Sequence, residues 1–454
     1  MKNELKRYRL KALVLSLGMV AGTGFAVAQD NPAPKDEKGA LEWASMKERV
    51  EALEQKLSKS GPGGWPAWFE LGGTLELEYT DADGDFAQDT SNNPSPHFQL
   101  DKFVLKPEIK LTKNSKLYNE IEFTDTTARY EKGWYQIDLE KESGLYTRVG
   151  LLNRFTKADG KFDMANRKTE GYPLGGNANW RDQHYGWEWG AKHKFTDQFA
   201  MFWRGHFGDG LELSENHPNE NDTWEITQDD DRASDRIKNK RELAGGLGFE
   251  VKFSSAWKFD LAGWYFRSNL NNDERARLAA RAGYATDTEG DKTALDVNAQ
   301  GSAVGLNLID DEQHRWGVRT THKFWDATTV TFEKWGAQDG KWLRGGWYGQ
   351  ASHLIKFKDP LINGEFLTSV EPVYRFEEYR SFNLDAEFSD PETWDRKQQV
   401  YALLVGISES NKLKSLLKLE YYNNHAKTGA TGIDPMQPMD PENNEYLAQI
   451  QINF

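Results

Sequence analysis

Nine histidines are spread over the 454 residues: His97, His184, His193, His206, His217, His314, His322, His353 and His425. None falls in a pattern that makes a catalytic or metal site. There is no H-E-x-x-H, no G-x-S-x-G and no phosphate-binding glycine loop. Acid–base or nucleophilic work needs a reactive group oriented by a second one, and the spacing supplies no such pair. Asp229-Asp230-Asp231 lacks the spaced oxygen ligands of a calcium loop. It reads as part of a solvated loop, with a divalent-cation bridge to lipopolysaccharide as the sharper alternative. Cysteine is absent, which removes thiolate chemistry, disulfides, Cys-bound zinc and c-type haem attachment. No enzymatic reaction, cofactor or metal is predicted. A formal charge of −14 argues against nucleic acid as a partner.

The charged residues carry a different chemistry, visible in their period of two. Glu76 and Glu78 alternate with Leu75, Leu77 and Tyr79, and Lys102, Lys106 and Lys110 with Phe103, Leu105, Ile109 and Leu111. The same parity picks out Arg148, Arg204, Arg315, Arg319, Arg344, Arg375 and Glu371 as the candidate lining of a water-filled passage. Fixed charges around such a passage guide ions. Pairing between neighbouring strands is the plainer reading of any one of them.

The elements that must hold these residues are strands. Apolar and polar residues alternate near 68–80, 98–111, 116–124, 133–140, 145–151, 185–195, 199–208, 241–253, 257–267, 313–324, 327–335, 341–357, 366–377, 398–408, 415–422 and 444–454, about sixteen segments. Each has the length of a tilted membrane-crossing strand. Connections alternate between short ones, such as 141–144 and 325–326, and long polar ones, such as 152–184, 209–240 and 268–312. A barrel with periplasmic turns and extracellular loops has that rhythm. Mean hydropathy is −0.78, and no apolar run after the first thirty residues can span as a helix. Trp134, Trp187, Trp189, Trp203, Trp257, Trp264, Trp316, Trp335, Trp342 and Trp347 are expected near strand ends or facing lipid.

The N-terminus reads as an address. Five basic residues, Lys2, Lys6, Arg7, Arg9 and Lys11, precede an apolar stretch and Ala26-Val27-Ala28, which predicts a signal peptide over 1–28. A flexible segment, 29–40, follows. Over 41–59, Trp43, Met46, Val50, Leu53 and Leu57 form a coiled-coil seam, too short to be stable without partner chains. A linker, 60–67, leads to the barrel, 68–454. The predicted fold class is thus all-β: a transmembrane antiparallel β-barrel of about 16 strands after a short N-terminal periplasmic coiled-coil helix. The 152–184 segment, third of the extracellular loops, is the candidate constriction, with Arg154, Lys157, Lys161, Arg167, Lys168 and Arg181.

The chain ends on Phe454 with Tyr446, Ile450 and Ile452 at matching parity. This resembles the assembly signal of bacterial outer-membrane proteins, which implies the barrel-assembly machinery as a partner during biogenesis. Tyr146-Thr147-Arg148-Val149-Gly150-Leu151 and Val370-Glu371-Pro372-Val373-Tyr374-Arg375-Phe376 are similar to an Arg-x-Gly and a Glu-x-x-x-Arg strand of the phosphate-selective porins. Asn153-Arg154-Phe155-Thr156 departs from that family's Pro-Phe-Gly turn. The resemblance implies a homotrimeric Gram-negative outer-membrane channel, embedded in lipids and lipopolysaccharide, for small hydrophilic solutes and anions such as phosphate. A non-conducting sheath around a partner such as a multihaem cytochrome is the alternative.

Overall fold

The computed structural model describes residues 68–84, 97–124, 128–154, 168, 169, 174, 183–210, 214–216, 226–228, 241–270, 311–340, 342–362, 366–382, 395–409, 413–427 and 442–454. The segments 1–28, 29–40, 41–59 and 60–67, the seam Trp43, Met46, Val50, Leu53 and Leu57, and Lys157, Lys161, Arg167 and Arg181 lie outside them. The chain falls into two units, Met1–Glu70 and Leu71–Phe454. The second is a closed antiparallel barrel of sixteen strands.

The strands are β1 (Phe69–Gly84), β2 (His97–Thr112), β3 (Ser115–Phe123), β4 (Ala128–Glu140), β5 (Leu145–Asn153), β6 (Gln183–Lys194), β7 (Phe199–Gly208), β8 (Glu242–Lys252), β9 (Trp257–Asn269), β10 (Glu312–Phe324), β11 (Thr328–Asp339), β12 (Trp342–His353), β13 (Ser369–Phe382), β14 (Asp395–Glu409), β15 (Lys414–Lys427) and β16 (Glu442–Asn453). Each pairs with the next, and β16 returns to β1, from Thr74↔Asn453 to Gly84↔Asn443. Ile355–Lys356 adds a short pairing to β13, and Ser214–Asn216 pairs with Ile226–Gln228 in the connection after β7.

Side chains alternate between the two faces of the wall. On β10, Gln313, Arg315, Arg319 and Thr321 are buried, whereas Trp316 and Val318 between them are exposed. On β14, Arg396 and Gln398 are buried and Tyr401 and Leu403 exposed. The exposed belt continues through Leu77, Val149, Leu247, Phe332, Leu419 and Ile450. Polar groups inside and large apolar groups outside invert the arrangement of a water-soluble protein, and a belt of this extent needs hydrocarbon around it. No helix among the described residues is long and apolar enough to cross a membrane.

The strands run further than their apolar alternation. β4 begins at Ala128, β11 ends at Asp339, β13 at Phe382 and β15 at Lys427, and β14 begins at Asp395. All five extensions lie at the end with the long connections. There outward residues become polar, as with Glu378, Arg380, Lys397 and His425, so the apolar signal fades. The backbone ladder continues regardless.

Three of the ten tryptophans depart from the expected placement. Trp264 and Trp335 point inward from within their strands, 4% and 2% exposed, whereas Trp342 lies at a strand end as expected, though turned inward. Trp134 also turns inward, under the Arg148 guanidinium at 4.5 Å. Trp187, Trp203, Trp257 and Trp316 are exposed on the outer face, and Trp189 and Trp347 share its parity.

Phe454 extends the closing seam between β16 and β1 by one further pair of bonds. Gly73 donates to the Phe454 carbonyl at 2.9 Å, and Phe454 donates back at 3.1 Å. The Phe454 ring stacks on Phe103, centroids 6.2 Å apart. Gly73 is required by this approach, since a Cβ there would lie 2.6 Å from the Val104 carbonyl oxygen. Tyr446 and Ile450 are likewise exposed on the outer face. Phe454→Ala is expected to lower barrel stability by about 1–2 kcal/mol, the worth of a partly buried ring. A lower urea midpoint and less of the compact band on unboiled gels check this; a wild-type midpoint contradicts it.

Candidate functional site

The interior has two unlike walls. On β1 to β6 the inward residues form a ladder of cross-strand ion pairs. Lys102 bridges to Glu76 at 2.6 Å, Lys116 to Glu108 at 2.9 Å and Lys132 to Glu120 at 3.0 Å. Arg148 lies 3.5 Å from Glu188 and donates to Gln136 at 2.8 Å. Period two places each partner on the same face of adjacent strands, where opposite charges attract. These cations keep contact with solvent: side-chain exposure is 20% for Lys102, 32% for Lys116 and 16% for Arg148. Lys106 donates to Thr74 Oγ1 at 3.3 Å and forms no carboxylate bridge among the described residues. Lys110 shares its parity near the short-turn end of β2.

On the other wall, β7 to β13, many of the inward charges are fully buried. Arg315 bridges to Asp339 at 2.7 Å, and Arg344 bonds the same carboxylate, all three with side chains at 0% exposure. Both guanidiniums thus converge on one carboxylate through charge-assisted bonds. Arg344 also lies over Trp342, at 4.1 Å. Arg319 faces Glu333 across the strands and lies 5.9 Å from the Trp264 ring. Phe202, Trp264, Phe266, Trp335 and Tyr379 form an inward apolar cluster. Arg204 projects from the inward face of β7, opposite Gly190 and Gly246.

Leu174, from the connection between β5 and β6, packs into that cluster. Its backbone N–H donates to Glu377 at 2.5 Å. Arg375 donates to Thr169 Oγ1 at 2.6 Å and to Glu377 at 3.0 Å, and Lys168 bridges to Glu371 at 2.7 Å. All three loop residues are therefore held by one strand, β13. In a ring of sixteen, β13 stands eight strands from β5, on the opposite wall. Residues of this connection thus reach across the interior.

Arg154, the first residue after β5, is also buried. It donates to both oxygens of Glu242 at 3.1 Å. His206 Nε2 lies 2.7 Å from the same carboxylate, and His184 stacks on His206 with centroids 4.0 Å apart. Of the six candidate constriction cations, the two that are described are thus neutralised by carboxylates.

The two motif strands acquire distinct tasks. Arg148 is sandwiched by Trp134 and by Tyr146, at 4.7 Å. Gly150 has φ of +141°, and a Cβ there would meet the Gly133 carbonyl oxygen at 2.2 Å. Glu371 and Arg375 are loop anchors. Parity reasoning would also have reached Glu377 and Glu242, which share the inward face; Asp339 lies beyond the 327–335 segment that alternation marks. Nothing in the sequence marked Thr169 or Leu174, because a contact across the interior leaves no local pattern. No group of three metal-ligating side chains occurs among the described residues.

No family model matches the chain, and no curated protein does. Among solved structures it is similar to OprB of Pseudomonas putida, with 12% identity over 91% of this chain and 97% of that one, TM-score 0.49. It is similar to an anion-selective porin from Comamonas acidovorans, with 9% identity over 85% and 99%, TM-score 0.48. It is also similar to the outer membrane channel DcaP of Acinetobacter baumannii, with 10% identity over 85% and 97%, TM-score 0.46. Likeness at this level carries no argument about what this chain does.

Removing one member of a buried ion pair strands the other without a partner, at a cost of about 3 kcal/mol. Arg375→Leu is accordingly expected to free the Thr169 anchor and expose the connection at its lysines and arginines. Faster tryptic cleavage at Lys157 to Lys168 in the folded barrel checks this; an unchanged cleavage rate contradicts it.

Proposed function

We propose that the protein is an outer-membrane channel for passive diffusion of small hydrophilic solutes. The observation that carries this reading is the closed barrel with an apolar outside and a half-exposed ladder of charges inside. Polar groups packed dry against one another would not keep side-chain exposures of 16–32%. Solutes pass along the β1–β6 wall. The β13-anchored connection narrows the opening and sets the size limit by steric exclusion.

The selectivity we infer is weak and favours anions such as phosphate. Most cations of the ladder are paired, which cancels much of their field at a distance. Lys106, between Lys102 and Lys110, makes no direct carboxylate bridge among the described residues, although Glu120 shares its field. It is the ladder cation we infer to be most available to a passing anion. The sheath reading is less favoured, because Lys168, Thr169 and Leu174 already occupy interior space that an enclosed partner would need. We further infer that the chain is exported with a cleaved leader, assembled by the barrel-assembly machinery through its final strand, and trimerised through the 41–59 seam.

Planar-bilayer recording tests the proposal. Discrete conductance steps with a reversal potential on the anion side are expected in a salt gradient. Lys106→Glu should lower the anion-to-cation permeability ratio roughly fivefold, the effect of about 1 kcal/mol across a screened aqueous passage. A folded barrel that never conducts overturns the channel reading, and an unmoved ratio overturns the role of Lys106.

A further inference from the structure

The outer surface changes character along the strands. Tyr374, Tyr401, Tyr421 and Tyr446 form one outward row across β13 to β16, with successive ring centroids 5.1, 6.2 and 4.9 Å apart. Toward the end with the long connections, the next outward row is Phe376, Gln399, Asn423 and Asn444. The row after that runs Lys334, Trp347, Glu378, Lys397 and His425 across β11 to β15. Tyrosine, then amide, then charge is the order from hydrocarbon through the interface to the headgroups.

In that charged row the barrel surface is indented. A notch of about 490 Å³ opens between Trp316 and Trp347 on β10 to β12. Gly336 makes it: a Cβ there would meet the Trp316 indole nitrogen at 2.5 Å, so the ring lies against bare backbone. Lys334 and Arg380 line the notch and are exposed. Lys334 makes no ion pair or hydrogen bond among the described residues. Arg380 bridges to Glu378 at 2.7 Å, and Trp347 Nε1 donates to that carboxylate at 3.1 Å. Lys397 faces Glu378 from the next strand. Two cations, Arg380 and Lys397, thus flank one carboxylate beside an apolar slot that Lys334 also lines.

We propose that this notch binds a phosphorylated, acylated glycolipid of the outer leaflet, of the lipid A class. One acyl chain lies between the two indoles, and a phosphate sits on Lys334 and Arg380. A bare ammonium facing a bilayer is costly unless an anion meets it, and basic residues at this level attract lipid phosphates. A second copy of the chain fits less well, because its own charged row would bring the same cations. The inference rests on the membrane placement proposed above and not on conduction.

The test is native mass spectrometry of the full chain, extracted in mild detergent and incubated with lipid A. Wild type should retain lipid A, and Lys334→Gln and Arg380→Gln should each cut occupancy about fivefold. Trp316→Ala should also lower it, and dephosphorylated lipid A should not distinguish wild type from Lys334→Gln. Equal occupancy in wild type and both charge variants overturns the proposal. So does disulfide-linking of copies by Leu343→Cys in native membranes, since the chain has no other cysteine and the notch would then be a copy–copy contact. Bilayer recordings on the same samples separate the two readings: conducting protein that ignores lipid A sinks only this one.

Discussion

A strand inside a bilayer has no water for its backbone, so each N–H and C=O must find a partner in the protein. That requirement fixes the remaining architecture. It forbids an open edge, forces β16 back onto β1, and gives the final residue a structural task at the seam. Gly73, Phe103 and Phe454 meet there because the last strand must register against the first, and a side chain on Gly73 would hold them apart.

Closure also sorts the side chains. With period two, each strand has one face in hydrocarbon and one turned to the axis. The barrel can therefore be polar overall, with mean hydropathy −0.78, and still present a continuous apolar belt. The interior then has to accommodate many charges at close range. On β1 to β6 it does so by cross-strand pairing at 2.6–3.5 Å with partial access to water. On β7 to β13 it does so by burying Arg315, Arg344 and Arg375 against Asp339 and Glu377. Asymmetry between the walls follows from one connection, whose Lys168, Thr169 and Leu174 all dock on β13.

Much of this was legible in the residues because it is local. Alternation located all sixteen strands and put Arg315, Arg319, Arg344, Arg375 and Glu371 on one parity. It failed where its physical basis lapses. Strand ends above the apolar belt carry Glu378, Arg380 and Lys397 outward, so β13 and β14 seemed shorter than they are. Ring type alone puts Trp264 and Trp335 at the lipid interface, but both are buried inside in the cluster that Leu174 joins. The docking of that connection joins residues about two hundred positions apart, as in the Thr169–Arg375 bond with its separation of 206, and no spacing rule reports such a contact.

The measurement that reaches the central claim most directly is single-cysteine labelling along β2, in a chain with no cysteine of its own. With the barrel in lipid vesicles, a water-soluble maleimide should react at positions 102, 106 and 108 and leave 103, 105 and 109 untouched. Labelling of both sets alike, or of the apolar set alone, would contradict a cylinder that is wet within and greasy without.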